Sequence, residues 1–510
     1  MELKIFRDAM PTAGANCTVR AELPLETEIL ISDYLPPVFK LVKCFARPVV
    51  LQKQLQPGRL TLDGYLRCTV YYQGEENAGL CQTEQKLPFT RVLELPEFSF
   101  SAWTAVVEGQ IGYINCRAVN PRRIELRGAY GLVASVYTQS KAEVITALSE
   151  GGIEQKLCTL QGVRRAVVLE KLVTAEGELA FPEKPAAILD LMGSAEVKEL
   201  KVLHGKAVAK GELDVLCAWR AEGDPALRSQ RVTLPFQQVL DADGLSEDCR
   251  CFCVAEPVGF TTAQGEGDAP SQLTVTLMLR LRAWRPYQLQ CVADAFSTRF
   301  ETEIVPQRLL AETLACPLCE TVEVTGSGPL PDAGAKILAC FASFGPVQIV
   351  PKGESYALAA RAVVTAFAEN SLKELESYEK PLEVVFPLEL PGLLLPDAEL
   401  YPECWLRTED LRCSSAGGAL EVSLTVRVEG AVLCRQGYDA IGSIALGDPL
   451  APADPEISLR ICYAQAGEEL FDIAKRFHVS PGQMLAANGL DEGTDRLPEP
   501  RKLLVPGSGA

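Results

Sequence analysis

The sequence predicts a mostly β protein, with three tandem β-sandwich or barrel-like units followed by a small α+β domain of strand, helix, helix, strand order. Three observations carry this prediction. Strands with alternating apolar and polar residues dominate most of the chain. Three sequence landmarks recur in the same order three times. Over the last 50 or so residues, the apolar spacing changes from the period of a strand to that of a helix.

The first landmark is a long strand with an apolar or small residue at every second position. It occupies residues 60–72 and returns at residues 207–219 and 356–364, about 150 residues apart each time. Period-two alternation is typical of a strand with one buried face. Each copy is therefore predicted to be a half-buried strand.

Two further landmarks follow each copy of this strand. The second is a Leu-Pro-Phe-like motif, at residues 86–89, 233–236 and 385–388. The third is an apolar strand, at residues 124–130, 273–281 and 420–428. Repeats of this length are too long for a solenoid and suit independent domains. The predicted β units span residues 1–145, 146–303 and 304–446, and their Gly- and Pro-containing turns favour sandwiches or open barrels.

The joins between units are predicted separately. Residues 142–157 and 308–314 show helical spacing and are expected to be helical. Residues 447–455 form a Pro-rich linker, which is semi-rigid by composition. We expect this linker to hold the last domain, residues 456–510, clear of the β units.

The last domain carries clear boundary signals. After an apolar strand at residues 459–463, residues 468–477 have one apolar helical face, with acids in the first turn and bases in the last. Ser480 and Pro481 then provide a cap and a first helical residue. The second helix is expected to end near Asn488, and residues 502–506 supply a closing strand.

Composition excludes several function classes. A net charge of −18 argues against non-specific binding to nucleic acid or anionic membranes. The N terminus has no signal-peptide pattern, and no apolar run reaches the length of a membrane helix, so we expect a cytosolic protein without a membrane span.

Eighteen cysteines are scattered along the chain. Those within strand-like runs, such as Cys68, Cys217 and Cys462, are expected to be reduced core residues. Later oxidative cross-linking of more exposed cysteines, such as Cys249, Cys251 and Cys253, is an alternative interpretation.

No pattern in the sequence predicts catalysis, a metal site or a cofactor. The two histidines are His204, expected in an exposed turn, and His478, between the two predicted helices. Cys316 and Cys319 have metal-ligand spacing, but no second pair lies nearby. Trp284 has two interpretations, an exposed interface anchor beside arginines or a packed core residue. The expected protein is not an enzyme.

The last domain resembles a LysM domain. Residues 465–474, 485–490 and 502–506 match the opening, second helix and ending of that family. The resemblance implies a shallow groove that binds N-acetylglucosamine-containing glycans such as peptidoglycan. The residues expected to bind a glycan or a protein partner are Gly467, Glu468, Glu469, Leu470, Phe471, Asn488, Gly489 and Leu490.

This copy departs from the LysM pattern at both groove walls. The usual small hydroxyl residue after the first loop glycine is replaced by acids at Glu468 and Glu469. The usual Pro-Gly-Gln before the last strand is replaced by Pro-Glu-Pro-Arg at residues 498–501. Both changes weaken the expectation of a glycan ligand and favour a protein ligand.

The β units resemble SPOCS domains. Residues 180–190 and 195–213 look like the opening of such a domain, and the other two units match more loosely. Three such units and one LysM domain are similar to the SipL-like spore-envelope assembly proteins. The resemblance implies a morphogenetic scaffold made in the mother-cell cytosol, at the forespore surface, whose LysM domain docks to a coat-basement ATPase.

Two hypotheses follow from the sequence. In the first, the chain is a scaffold for spore-coat assembly and its partner is the spore-coat morphogenetic ATPase. In the second, which rests on LysM homology alone, it is a peptidoglycan-binding protein or an accessory of a wall hydrolase.

Overall fold

The structure, a computed structural model, is built almost entirely of antiparallel strands. It describes residues 3–75, 79–223, 228–263, 270–332, 334–353, 355–390, 397–451, 459–491 and 493–506. Seven sheets are formed within these ranges, and two short helices lie near the C-terminal end. The prediction of a mostly β protein with a small C-terminal α+β domain is confirmed.

The first unit has six strands in two three-stranded sheets. They are β1 (Lys4–Leu30), β2 (Val38–Gln56), β3 (Arg59–Gly74), β4 (Leu80–Glu94), β5 (Ala102–Asn120) and β6 (Arg123–Ser149). One sheet has the order β1-β6-β5 and the other β2-β3-β4. Leu60, Leu62 and Leu66 of β3 are almost fully buried, because the first sheet covers that face.

The second unit repeats this topology. Its strands are β7 (Ile153–Leu179), β8 (Pro185–Leu203), β9 (Lys206–Ala221), β10 (Arg228–Asp241), β11 (Arg250–Ala263) and β12 (Ser271–Ser297). The sheet orders are β7-β12-β11 and β8-β9-β10, strand for strand the same as in the first unit.

The third unit differs by one interruption. Its strands are β13 (Phe300–Pro329), β14 (Lys336–Phe344), β15 (Gln348–Lys352), β16 (Ser355–Glu369), β17 (Leu375–Leu388), β18 (Glu399–Ala416) and β19 (Ala419–Pro449). Strands β14 and β15 both pair with β16, at the place that one strand fills in the other units. The first and third landmarks thus lie in the central strands of the two sheets of every unit, and each unit has its own apolar core.

The prediction of helices at residues 142–157 and 308–314 is wrong. Residues 142–149 continue β6, residues 153–157 begin β7, and residues 308–314 lie inside β13. Val144, Ile145 and Leu148 are all buried, because β6 packs apolar side chains on both of its faces at this end. A strand buried on both faces loses its period of two and imitates the spacing of a helix.

The ends of the longest strands join the three units together. Val144 of β6, Cys291 of β12, Leu309 of β13 and Ala440 of β19 belong to one apolar cluster. A second cluster unites Ile145 with residues of the other two units. The units therefore share buried apolar surface in addition to their separate cores.

The C-terminal domain has the predicted strand, helix, helix, strand order. It consists of β20 (Leu459–Ala464), α1 (Leu470–Phe477), α2 (Pro481–Asn488) and β21 (Arg501–Pro506). The Ser480 hydroxyl accepts a hydrogen bond from the Gln483 backbone N–H at 3.2 Å, as the sequence predicts for the second helix cap. None of the helices in the described ranges is long and apolar enough to cross a membrane.

The expectation that this domain is held clear of the β units is wrong. Phe296 of β12 is buried in the same apolar cluster as the core of the C-terminal domain. Of the predicted linker, residues 447–449 extend β19 and residues 452–458 lie outside the described residues. The domain rests on the second unit because an aromatic side chain there completes its core.

Candidate docking site on the C-terminal domain

Two loops of the C-terminal domain, which the resemblance implies as groove walls, are joined by backbone hydrogen bonds. Gly467 N–H donates to the Leu497 carbonyl at 2.8 Å, and Leu497 N–H donates to the Glu468 carbonyl at 3.0 Å. Leu470 N–H donates to the Asp495 carbonyl at 2.9 Å. Gly467 has a φ of +83°, which favours glycine at this turn. We call this pair of loops the closed groove.

The two acids of the closed groove are both paired. The Glu468 carboxylate accepts from the Gln465 backbone N–H at 2.7 Å and from Arg476 at 3.2 Å, and the Gln465 hydrogen bond chiefly lowers its pKa. The Glu469 carboxylate lies between Arg496, at 2.6 Å, and Lys156 of the second unit. The hydrogen bond from Lys156 is the largest cause that lowers the pKa of Glu469.

Leu470 and Phe471 serve packing. Leu470 is buried in the core of the domain. Phe471 meets Phe296 edge to face, with ring centroids 5.3 Å apart. The sequence left two roles for Phe471, core packing and ligand binding, and its contact with Phe296 is a packing contact.

Asn488, Gly489 and Leu490 hold the domain together at the end of α2. The Asn488 amide donates to the Leu504 carbonyl at 2.8 Å and accepts from the Leu504 N–H at 2.7 Å, so it pairs with β21 as another strand would. Gly489 ends the helix with a φ of 58°, and Leu490 packs on the core. Among the predicted site residues, Gly467, Glu468 and Glu469 lie together at the closed groove. The hydrogen bonds and ion pairs described for these three residues are all made within the protein.

An exposed apolar face on the two-stranded sheet was not predicted. Ile461 and Tyr463 of β20 are 58% and 69% exposed, and Leu504 of β21, paired opposite Ile461, is 37% exposed. Lys502 lies over the Tyr463 ring at 5.3 Å. A signal was present in the sequence, because β20 is apolar at both alternating positions from Ile461 to Ala464, whereas a strand with one solvent-exposed face has polar residues at one of them. We call Ile461, Tyr463 and Leu504 the apolar face.

The C-terminal domain docks on a small platform at the adjoining ends of β7 and β12. Lys475 of α1 donates to both carboxylate oxygens of Asp294, at 2.6 and 2.7 Å. The His478 Nδ1 atom lies 3.1 Å from the Ser297 carbonyl oxygen. The docking platform is defined by four residues, Lys156, Asp294, Phe296 and Ser297.

The three β units meet at a buried polar cluster. Arg165 of β7 forms an ion pair with Glu403 of β18 at 2.5 Å and donates to the Tyr401 hydroxyl at 2.7 Å. Glu312 of β13 accepts hydrogen bonds from Tyr401 and from Gln139 of β6. We call these five residues the interior junction. Strands from all three units contribute, so the junction fixes the units relative to one another.

A central cavity of about 1770 Å³ lies between the units. Some of its lining charges are paired between units, as Lys53 of β2 with Glu170 of β7 at 2.8 Å and Lys43 of β2 with Glu379 of β17 at 2.8 Å. Burial lowers the pKa of Lys53 to about 8 and raises the pKa of Glu108 to about 7. These two ion pairs join the first unit to the second and to the third.

The remaining candidate residues have structural surroundings. His204 is exposed in a turn, as the sequence predicts. Cys316 is buried and Cys319 exposed on the single strand β13, so their thiols do not face one site. Trp284 is 1% exposed and packs with Tyr401 near the interior junction, which favours its packing interpretation. Across the described residues, no group of three or more His, Cys, Asp or Glu side chains is arranged to hold a metal ion.

Comparison with known families identifies the first unit. Residues 37–119, from β2 to β5, match the family model described as SipL, SPOCS domain. This part of the chain is therefore similar to the SPOCS domain of SipL-like proteins. The match lies in the first unit, whereas the clearest likeness in the sequence lies in the second. The match to the SPOCS family model indicates a sporulation-related protein. No curated protein matches the chain, and no solved structure matches it.

Proposed function

We propose that this SipL-like protein is a non-enzymatic scaffold for assembly of the spore envelope. Its C-terminal domain, which resembles a LysM domain, docks to a coat-basement ATPase at the forespore surface. The observation that carries this proposal is the pairing of the two groove walls with each other, beside an exposed apolar face on the same domain.

The closed groove supports a protein ligand over a glycan. A sugar is held by polar groups that are free to exchange hydrogen bonds with its hydroxyls. Here the N–H groups of Gly467 and Leu470 and the carbonyl of Leu497 bond within the loops, and the acids Glu468 and Glu469 have basic partners. A glycan would have to break these contacts before it gained any.

The apolar face is the surface best suited to the protein partner. Tyr is a typical anchor of protein interfaces, and the Lys502 ammonium over the exposed Tyr463 adds a basic edge. The opposite face of this sheet packs on the helices of its own domain through Cys462 and Leu503. We therefore assign the apolar face to an apolar segment of the ATPase with acidic flanks.

The β units support a scaffold role through their rigidity. The interior junction and the ion pairs of the central cavity connect all three units. A partner held by the C-terminal domain is thereby connected to a body whose units have fixed relative positions. No catalytic step is included in this proposal.

The proposal is tested with the full-length protein. The double variant Ile461→Ser and Tyr463→Ser should lose binding to the ATPase by about tenfold or more, because hot-spot side chains contribute at least 1 to 2 kcal/mol each. The matched control is Val92→Ser with Val239→Ser, since these residues are similarly exposed on β4 and β10. Binding of both variants is measured by titration against the purified ATPase.

The same preparations are sedimented with purified peptidoglycan to test the alternative. We expect no retention of the wild-type protein. Retention by peptidoglycan together with an unchanged affinity of the double variant for the ATPase would contradict the proposal and favour a wall-binding protein or hydrolase accessory. In cells, deletion of residues 457–510 should abolish recruitment to the forespore, and normal localisation of the truncated protein would also contradict it.

A further inference from the structure

Two cysteines lie directly opposite each other beside the docking platform. Cys158 of β7 and Cys291 of β12 are register partners in an antiparallel pair, and their Sγ atoms are 3.0 Å apart. Directly opposed residues of such strands have Cα atoms about 4.5 to 5.5 Å apart, inside the range of about 4.4 to 6.8 Å that a disulfide requires. A disulfide therefore needs little movement of the backbone here.

The two thiols differ in exposure and acidity. Cys291 is fully buried in the apolar cluster shared by the three units, whereas Cys158 is only partly buried. The contact with Cys291 lowers the pKa of Cys158 to about 7, and the same contact raises the pKa of Cys291. Since the thiolate is the nucleophile, Cys158 is the reactive member at neutral pH and Cys291 is placed to resolve what forms on it.

Most other buried cysteines lack this combination. Burial raises the pKa of Cys68 to about 11 and of Cys217 to about 12, which leaves them protonated at neutral pH. Cys340 of β14 and Cys413 of β18 form another contacting pair, in which Cys413 lowers the pKa of Cys340. They are not register partners in one ladder, because β14 pairs with β16 and β18 with β19. This pair, together with the contacting pair Cys44 and Cys116, is the natural competitor in any test.

The position of the pair connects it with the docking platform. Cys158 lies two residues after Lys156, which holds Glu469, and Cys291 lies three residues before Asp294, which holds Lys475. The β7 to β12 register shifts between Val292 and Asp294, so the ladder is irregular between the cysteines and the platform. A covalent bond at this point would restrain the strands that carry the platform.

We propose that Cys158 and Cys291 form a modification site, which small-molecule disulfides oxidise to an intrachain disulfide that stabilises the docked C-terminal domain. The Cys158 thiolate attacks one sulfur of the small disulfide, which forms a mixed disulfide and releases the first thiolate. Cys291 loses its proton to solvent, and its sulfur attacks Cys158, which breaks the mixed disulfide and releases the second thiolate. Two protein thiols are oxidised, and one small disulfide is reduced to two thiols.

The test uses full-length protein and oxidised glutathione at pH 7.5. The number of free thiols, counted after denaturation, should fall by two from eighteen. Peptide mapping should find Cys158 linked to Cys291. The variant Cys291→Ser should instead retain glutathione on Cys158, because the resolving thiol is missing. The variant Cys158→Ser should lose no thiols at Cys291.

Hydrogen exchange of α1, compared between the oxidised and reduced wild-type protein, reports the effect on docking. We expect at least threefold slower exchange in the oxidised protein. The assignment of the site is overturned if Cys158 and Cys291 stay reduced, whether or not Cys340 and Cys413 become linked. It is also overturned if Cys158→Ser still loses two thiols, as the wild-type protein does. Unchanged exchange of α1 in a protein with the mapped bond overturns the proposed effect on docking.

Discussion

The interior junction and the docking platform are both contacts between parts of one chain, but they are built differently. In the junction, the side chains of Arg165, Glu312 and Glu403 are at most 1% exposed. On the platform, the side chains of Lys475 and Asp294 are 38% and 28% exposed. The junction therefore lies in a dry interior, and the polar contacts of the platform are open to water.

This difference in solvent exposure indicates which of the two contacts can open. Removing one partner of a buried ion pair costs about 3 to 5 kcal/mol, because the other charge stays buried without compensation. A pair that is open to water contributes about 0 to 1 kcal/mol, since water replaces the lost partner. We infer that the three β units stay together as one body and that the C-terminal domain can leave its platform without unfolding that body.

The largest expected effect is at the interior junction. The variant Glu403→Gln removes the charge that faces Arg165 at 2.5 Å and Arg282 at 3.9 Å. We expect the free energy of unfolding to fall by about 3 kcal/mol, the lower end of this range, because Arg165 keeps Glu312 and Arg282 keeps Glu170 as a partner. Urea denaturation of the full-length protein, followed by circular dichroism, measures this change.

The control for this variant is an exposed pair in the second unit. Lys184 and Glu222 are 3.0 Å apart, and both side chains are more than 60% exposed. The variant Glu222→Gln should change the free energy of unfolding by less than about 1 kcal/mol. Equal effects of Glu403→Gln and Glu222→Gln would show that the junction does not hold the units together.

A smaller effect is expected at the apolar centre of the docking platform. The variant Phe296→Ala leaves a cavity in the core of the C-terminal domain and removes the ring contact with Phe471. Truncation of a buried Phe costs about 3 kcal/mol or more, but here the domain can undock and recover part of this energy. We expect faster hydrogen exchange of α1, by about tenfold to a hundredfold, and an unchanged urea midpoint of the β body.

The matched variant for Phe296→Ala is Phe252→Ala. Phe252 lies on β11 of the same unit and packs on Trp284 and Trp405, neither of which belongs to the docking platform. It should lower the urea midpoint of the body and leave the exchange of α1 unchanged. The opposite pattern in the two variants would mean that the platform, and not the junction, is part of the folding core.

Much of the fold could be predicted from the sequence because most strands have one buried face and one solvent-exposed face. The landmark strand β3 alternates cleanly, since its inner residues Leu60 and Leu62 meet the other sheet and its outer residues do not. The same reasoning failed at Val144 and Ile145, where a second unit covers the outer face. Packing between units is not visible in local periodicity, so the strand ends were mistaken for helices.

The candidate site was readable only in part. The caps and helices of the C-terminal domain follow local rules, and Ser480 and Gly489 take the places that these rules predict. The contacts of Glu469 with Lys156 and of Phe471 with Phe296 join residues more than a hundred positions apart. No local pattern contains such a contact, and for this reason the sequence predicted a free domain.

The smallest expected effect concerns the polar contacts of the platform. The variant Lys156→Ala should speed the hydrogen exchange of α1 by less than about fivefold, since a half-exposed pair contributes under about 1 kcal/mol. In the wild-type protein, 1 M salt should weaken the contact between Lys156 and Glu469.

The same contact predicts how docking depends on pH. Lys156 lowers the pKa of Glu469 below its ordinary value of 4.5. The stability that this ion pair contributes is therefore complete above pH 4.5 and is lost only as the pH falls through the lowered pKa. Scattering profiles of the full-length protein should therefore be constant from pH 8 to pH 5. A domain that left its platform between pH 7 and pH 6 would contradict the assignment to Glu469.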